Sequence, residues 1–180
     1  MNKVLATDLD GTLFYPKGRK RCIPKKNVKF LQDFIDDGNR LVLVTSRSTQ
    51  FMERLKSEIE RPYDMMTCTS SQIYHNDELI RDVPMDTQGL EEVINFLDNE
   101  HRPIAYLMTT DEYPCLIKQN VPLGKFLLWA YRRYYKHQRC YQEPYVISNE
   151  LFDEQLKNNK VYKVMVFYGL GRNNKKISKK

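Results

Sequence analysis

The chain is poor in the residues that build disulfide scaffolds and zinc sites. Its 180 residues include four cysteines and three histidines. Cys22, Cys68, Cys115 and Cys140 stand far apart, with no CxxC pair and no histidine at ligand spacing. The pattern argues against a disulfide framework and a zinc centre, and for scattered reduced thiols in the cytoplasm. No apolar run approaches the length needed to span a bilayer, and no apolar signal core opens the chain, so no membrane partner is expected. Internal repeats and low-complexity linkers are also missing. A chain of this length can bury a core without staples.

What is present begins with Asp8-Leu9-Asp10-Gly11-Thr12-Leu13, directly after the apolar run Lys3 to Thr7. Side chains alternate along an extended segment, so Asp8 and Asp10 can face one site. Gly11 allows a sharp turn that brings bare backbone N–H groups close to whatever the acids address. Two acids, a glycine and a hydroxyl in five positions equip a chain to hold a divalent cation and a phosphate together.

A second signal follows. Val28, Leu31, Phe34 and Ile35 repeat at helical spacing between Pro24 and Asp37, and Gly38 stops that helix. Leu41 to Val44 is then a continuous apolar strand, followed at once by Thr45-Ser46-Arg47. A strand, helix, strand unit with the usual right-handed crossover sets both strand ends at one sheet edge, where open α/β sheets bind ligands. Asp8 and Thr45 are therefore expected to converge.

With these two motifs the chain resembles the haloacid dehalogenase-like (HAD) phosphohydrolases, whose first motif reads DxDGT and whose second is a Thr or Ser ending an apolar strand. Asp8 to Leu13 fits the first throughout. Leu41 to Arg47 fits the second, with Ser46 where many relatives have glycine. The resemblance implies a Rossmann-like α/β core with a parallel sheet and hydrolysis of a small phosphomonoester, plausibly a sugar phosphate. It makes Asp8 the nucleophile that becomes an aspartyl-phosphate, and Asp10 the general acid and then base. Gly11, Thr12, Thr45 and Ser46 would surround the phosphoryl oxygens, and Arg47 could contact an anionic substrate. The implied cofactor is Mg²⁺, held by the Asp8 side chain and the Asp10 backbone carbonyl, since that ion prefers hard oxygen ligands.

Further along, Tyr63 to Cys68 reads as a third strand, and Thr69 to Ile80 as a hairpin turning at Asn76-Asp77. Gly89 to Leu97 carries a helical pattern, and Pro103 to Met108, Tyr113 to Lys118 and Lys160 to Tyr168 read as strands. Leu123 to Tyr135 reads as an amphipathic helix with basic residues outward. This order resembles the Cof-type branch with its large α/β cap. It implies a core over 1–82, a partial cap over 83–172 and a basic tail over 173–180.

The later family motifs, a lysine and an acidic pair after glycine, have no counterpart. Asp111-Glu112, Asp153-Glu154 and Glu143 lack the glycine, and Gly169 and Gly171 precede no acid. Lys160 and Lys163 read as ordinary strand-flanking lysines. The expectation is a core present only in part: a truncated product, a fragment, or one half of a split protein completed by a second chain, with Lys3 to Thr7 as an apolar edge. A non-catalytic remnant that only binds is one alternative. A basic nucleic-acid-binding protein is another, because the net charge of +6 gathers in Lys17–Lys29, Tyr131–Arg139 and Arg172–Lys180. Positive charge over a phosphorylated substrate accounts for it more simply, and no groove-reading motif supports nucleic acid as a partner.

Overall fold

The computed structural model describes residues 3–14, 22–121 and 144–168, together with Phe126, Trp129 and Arg133. The chain divides into two compact units, the first running to Val83 and also taking in Arg133, the second beginning at Pro84.

In the first unit the apolar runs become β1 (Val4–Asp8), β2 (Arg40–Val44) and β3 (Asp64–Thr67). These are followed by β4 (Gln72–His75) and β5 (Glu78–Asp82). The five strands form one sheet in the order β1-β2-β3-β4-β5. β1 to β3 run parallel, while β4 and β5 fold back antiparallel. Asn76 and Asp77 close the hairpin with φ of 45° and 73°, the left-handed pair that a tight two-residue hairpin requires.

α1 (Lys25–Asp36) starts after Pro24 and buries Val28 and Leu31. It stops before Gly38, whose φ of 80° suits glycine. After Ser48 a 3₁₀ turn, Thr49–Phe51, leads into α2 (Met52–Ile59). α1 and α2 cover Leu41, Leu43 and Met65 of the sheet, and Leu9, Leu13, Ile23 and Phe51 complete this core. β2 alternates, with Leu41 and Leu43 buried and Val42 and Val44 half-buried.

The second unit opens with α3 (Thr87–Glu100), whose first turn is capped by the Asp86 carboxylate accepting from the Gly89 N–H at 3.2 Å. β6 (Ala105–Thr110) lies between β7 (Leu116–Gln119) and β9 (Val161–Phe167), antiparallel to both. β8 (Val146–Ile147) adds beside β7, giving the order β8-β7-β6-β9. α4 (Asn149–Asn158) was not anticipated from the sequence. Its signal is local: the Ser148 hydroxyl accepts from the Leu151 N–H at 3.1 Å, and Leu151, Phe152 and Leu156 recur on one face. Tyr106, Met108, Leu116 and Phe152 anchor this second core. The helix expected over 123–135 lies outside the described residues except for Phe126, Trp129 and Arg133, and the basic tail over 173–180 lies wholly outside them.

Candidate active site

Leu9 carries the first motif into shape. Its side chain is fully buried in the core, so its neighbours Asp8 and Asp10 are turned outward and exposed. Both acids are extended, with φ of −76° at each. Gly11 then reverses the chain at φ 85°, and the Phe14 N–H closes the turn on the Leu9 carbonyl at 3.0 Å. A Cβ at Gly11 would meet nothing within 4 Å, so the turn needs glycine for its backbone angle and not for space. Thr12 is exposed on the same turn.

The parallel register pairs Asp8 with Val44 and Val44 with Met66. Thr45, one residue on, therefore stands at the sheet edge where Asp8 ends β1. Its side chain is buried, its N–H donates to the Met66 carbonyl at 2.9 Å, and its hydroxyl accepts from the Arg47 N–H at 3.1 Å. Ser46 is exposed between them.

Arg47 reaches back to the first motif. Nε donates to Asp10 Oδ2 at 2.8 Å and Nη2 to Oδ1 at 2.7 Å, a two-point grip on one carboxylate. The arginine side chain is 12% exposed and that of Asp10 47%. The guanidinium carbon lies 4.6 Å from the Phe51 ring centroid and 5.8 Å from that of Phe14, a cation–π platform that positions the fork. The sequence offered Arg47 as a residue that could contact an anionic substrate; in the structure its guanidinium is engaged with Asp10. Phe14 and Phe51 carried no separate signal, because either reads as an ordinary core aromatic.

The residues fit a magnesium ion as a minimal set. The Asp8 carboxylate and the Asp10 carbonyl offer hard oxygens, and the ion characteristically leaves other positions to water and phosphate. Among the described residues no group of three or more His, Cys, Asp or Glu side chains is gathered as a metal cage. Lys160 and Lys163, flanking and within β9, belong to the second unit.

A separate ionic cluster occupies the opposite end of the first sheet. Asp64, 8% exposed in its side chain, pairs with Arg40 Nε and accepts from His75 Nδ1 at 2.6 Å. Burial pushes the Asp64 carboxyl up, but the hydrogen bonds from Arg40 and His75 outweigh it and leave its pKa below the ordinary value. It borders a cleft of about 450 Å³ lined by Lys3, Val4, Tyr63 and Asn76 among others.

A sequence model of the haloacid dehalogenase-like hydrolases matches residues 5–179. The chain belongs to this family. No curated protein sequence matches it significantly. Among solved structures, this HAD-like chain is similar to a HAD superfamily phosphatase of Bacteroides thetaiotaomicron, at 18% identity and a TM-score of 0.68, over 99% of this chain and 60% of that one. It is similar to a haloacid dehalogenase-like hydrolase from B. subtilis, at 17% identity and a TM-score of 0.70, over 98% and 65%. A subclass IIB sugar phosphatase of the same superfamily matches at 16% identity and a TM-score of 0.65, over 98% and 62%. These likenesses establish a shared α/β fold. The HAD-like chain spans about 60% of the length of the first of them. No helix among its described residues is long and apolar enough to cross a membrane.

Proposed function

We propose that this HAD-like chain carries the nucleophile half of a Mg²⁺-dependent phosphatase that hydrolyses a small phosphomonoester, with sugar phosphates as the substrate class. The observation that carries the reading is the exposed Asp8 two residues before an Asp10 that Arg47 grips at two points. The Asp8 carboxylate attacks phosphorus, the bond from phosphorus to the ester oxygen breaks, and Asp10, entering this step as the carboxylic acid, gives the departing alkoxide its proton. Asp10 then takes a proton from the water that attacks the aspartyl-phosphate, which releases inorganic phosphate and restores Asp8. Thr12, Ser46, Thr45 and the N–H groups around Gly11 face the charge that builds on the phosphoryl oxygens. The Asp8 carboxylate and the Asp10 carbonyl would hold Mg²⁺, which would supply positive charge against the carboxylate and the phosphate. Similarity to a sugar phosphatase supports the substrate class. Residues 1–82 serve as core and 83–172 as cap, and the separated thiols Cys22, Cys68 and Cys115, none of them in a disulfide, suit the cytoplasm. Small phosphorylated molecules, rather than nucleic acid or a membrane, are its ligands.

Hydrolysis of p-nitrophenyl phosphate by the purified chain, with and without Mg²⁺, tests this reading. Metal-dependent turnover that disappears in Asp8→Asn is expected. A folded chain with no turnover in either condition counts against it.

A second reading has its own support. Among the described residues β1 pairs on one side only, with β2, and Val4 on it is 64% exposed. A free apolar edge beside a site with so few acids favours completion by a second polypeptide that supplies the remaining acidic and lysine groups. Native mass spectrometry of the protein isolated from its own cells would then find that second chain, whereas an active single chain of this length would refute completion in trans.

A further inference from the structure

The segment after β3 runs against its own backbone preferences. Cys68, Thr69 and Ser70 take φ of 48°, 60° and 70° in succession, and none is glycine or asparagine. Thr69, at φ 60° and ψ 39°, carries a branched Cβ that crowds the following carbonyl in that region. A run of three such residues persists only where the surroundings over-determine it.

The restraint is directed at the candidate site. The Cys68 N–H donates to the Arg47 carbonyl at 2.9 Å, and the Thr69 N–H donates to the Thr45 carbonyl at 3.2 Å. Directly before them Thr67 is fully buried, and its hydroxyl has no hydrogen-bond partner among the described residues. Two unfavourable features, backbone strain and an unsatisfied buried hydroxyl, thus fall within four consecutive residues beside Thr45.

We infer that Thr67–Ser70 is a positioning element for the site. The left-handed path aims two successive amide N–H groups at the carbonyls of Thr45 and Arg47. That clasp holds the turn in which the buried Thr45 hydroxyl accepts from the Arg47 N–H and from which the Arg47 guanidinium reaches Asp10. Thr69 is its central positioning residue, acting through the backbone and not by touching substrate. Its effect on rate rests on the phosphatase reading; the clasp itself does not.

The test uses the full chain with Thr69→Gly, which frees the backbone, and Thr69→Asn, a side chain that tolerates the left-handed region. Amide hydrogen exchange at positions 68 and 69 is measured with the melting midpoint. Exchange about tenfold faster in Thr69→Gly, restored in Thr69→Asn, with a midpoint unchanged or raised, is expected. Equal exchange in all three proteins, or a lower midpoint in Thr69→Gly, would overturn the inference. In the phosphatase assay, kcat should fall about tenfold in Thr69→Gly with KM held, and return in Thr69→Asn. An unchanged kcat despite faster exchange breaks the link to the site and also overturns it. Absence of turnover in the unaltered chain rejects the phosphatase reading alone, and the exchange result still decides the clasp.

Discussion

Arg47 holds the Asp10 carboxylate by two hydrogen bonds, of 2.8 and 2.7 Å, across 37 positions of sequence. The pair joins the turn after β1 to the turn after β2, and the guanidinium carbon lies over the Phe51 ring, 4.6 Å from its centroid. Asp10 is thereby oriented without being buried.

Replacing that fork therefore tests orientation more than charge. Arg47→Ala is expected to lower kcat/KM about 100-fold through loss of Asp10 placement. Arg47→Lys should recover little of it, because an ammonium cannot make the planar two-point contact. Steady-state kinetics on p-nitrophenyl phosphate checks both. Recovery by lysine to near the original rate would show that charge alone suffices.

Thr45→Val keeps the shape of a buried side chain while deleting the acceptor for the Arg47 N–H. A stability loss of about 1 kcal/mol is expected in urea unfolding. Turnover should fall by about 100-fold if the hydroxyl also serves the phosphoryl oxygens. A variant that loses stability alone would limit Thr45 to supporting the turn.

Glu58 anchors the chain entering α1. Its buried carboxylate accepts from the Cys22 N–H at 3.0 Å and the Ile23 N–H at 2.9 Å, and Arg54 pairs with it at 3.0 Å. Glu58→Ala strands two amide groups and should cost about 3 kcal/mol, whereas Glu58→Gln keeps an acceptor and should cost about 1 kcal/mol. Urea denaturation of the two variants side by side measures the difference.

The Asp64 cluster predicts an acid limit to stability. The Asp64 pKa is lowered on folding, with the bonds from Arg40 and His75 exceeding the effect of burial. Its contribution is therefore fully present above the unfolded value of about 3.9 and is lost as pH falls through the lower folded value. Asp64→Asn should be less stable near neutrality and show a shallower acid limb below about pH 4. Thermal melts across that range check this, and parallel curves for both proteins would remove Asp64 from the acid transition.

The first motif was legible because its pattern is local. Leu9 between Asp8 and Asp10 follows the period-two rule, and burying the leucine turns both acids outward. The hairpin at Asn76-Asp77 was legible for the same kind of reason, since these residues tolerate the left-handed backbone the turn demands. α4 was overlooked although its Ser148 cap and apolar spacing were present, because short helices and short strands share much of their pattern.

Asp8 to Leu13 and Thr45 to Arg47 followed from the sequence by itself, as did the strand, helix, strand order that sets their ends at one sheet edge. Local propensity and apolar period decide such features within a few residues. The grip of Arg47 on Asp10, the aromatic platform beneath it and the strained turn at Thr69 were decided only by tertiary structure. Each depends on the register of parallel strands brought together from distant parts of the chain, and no local pattern encodes that register.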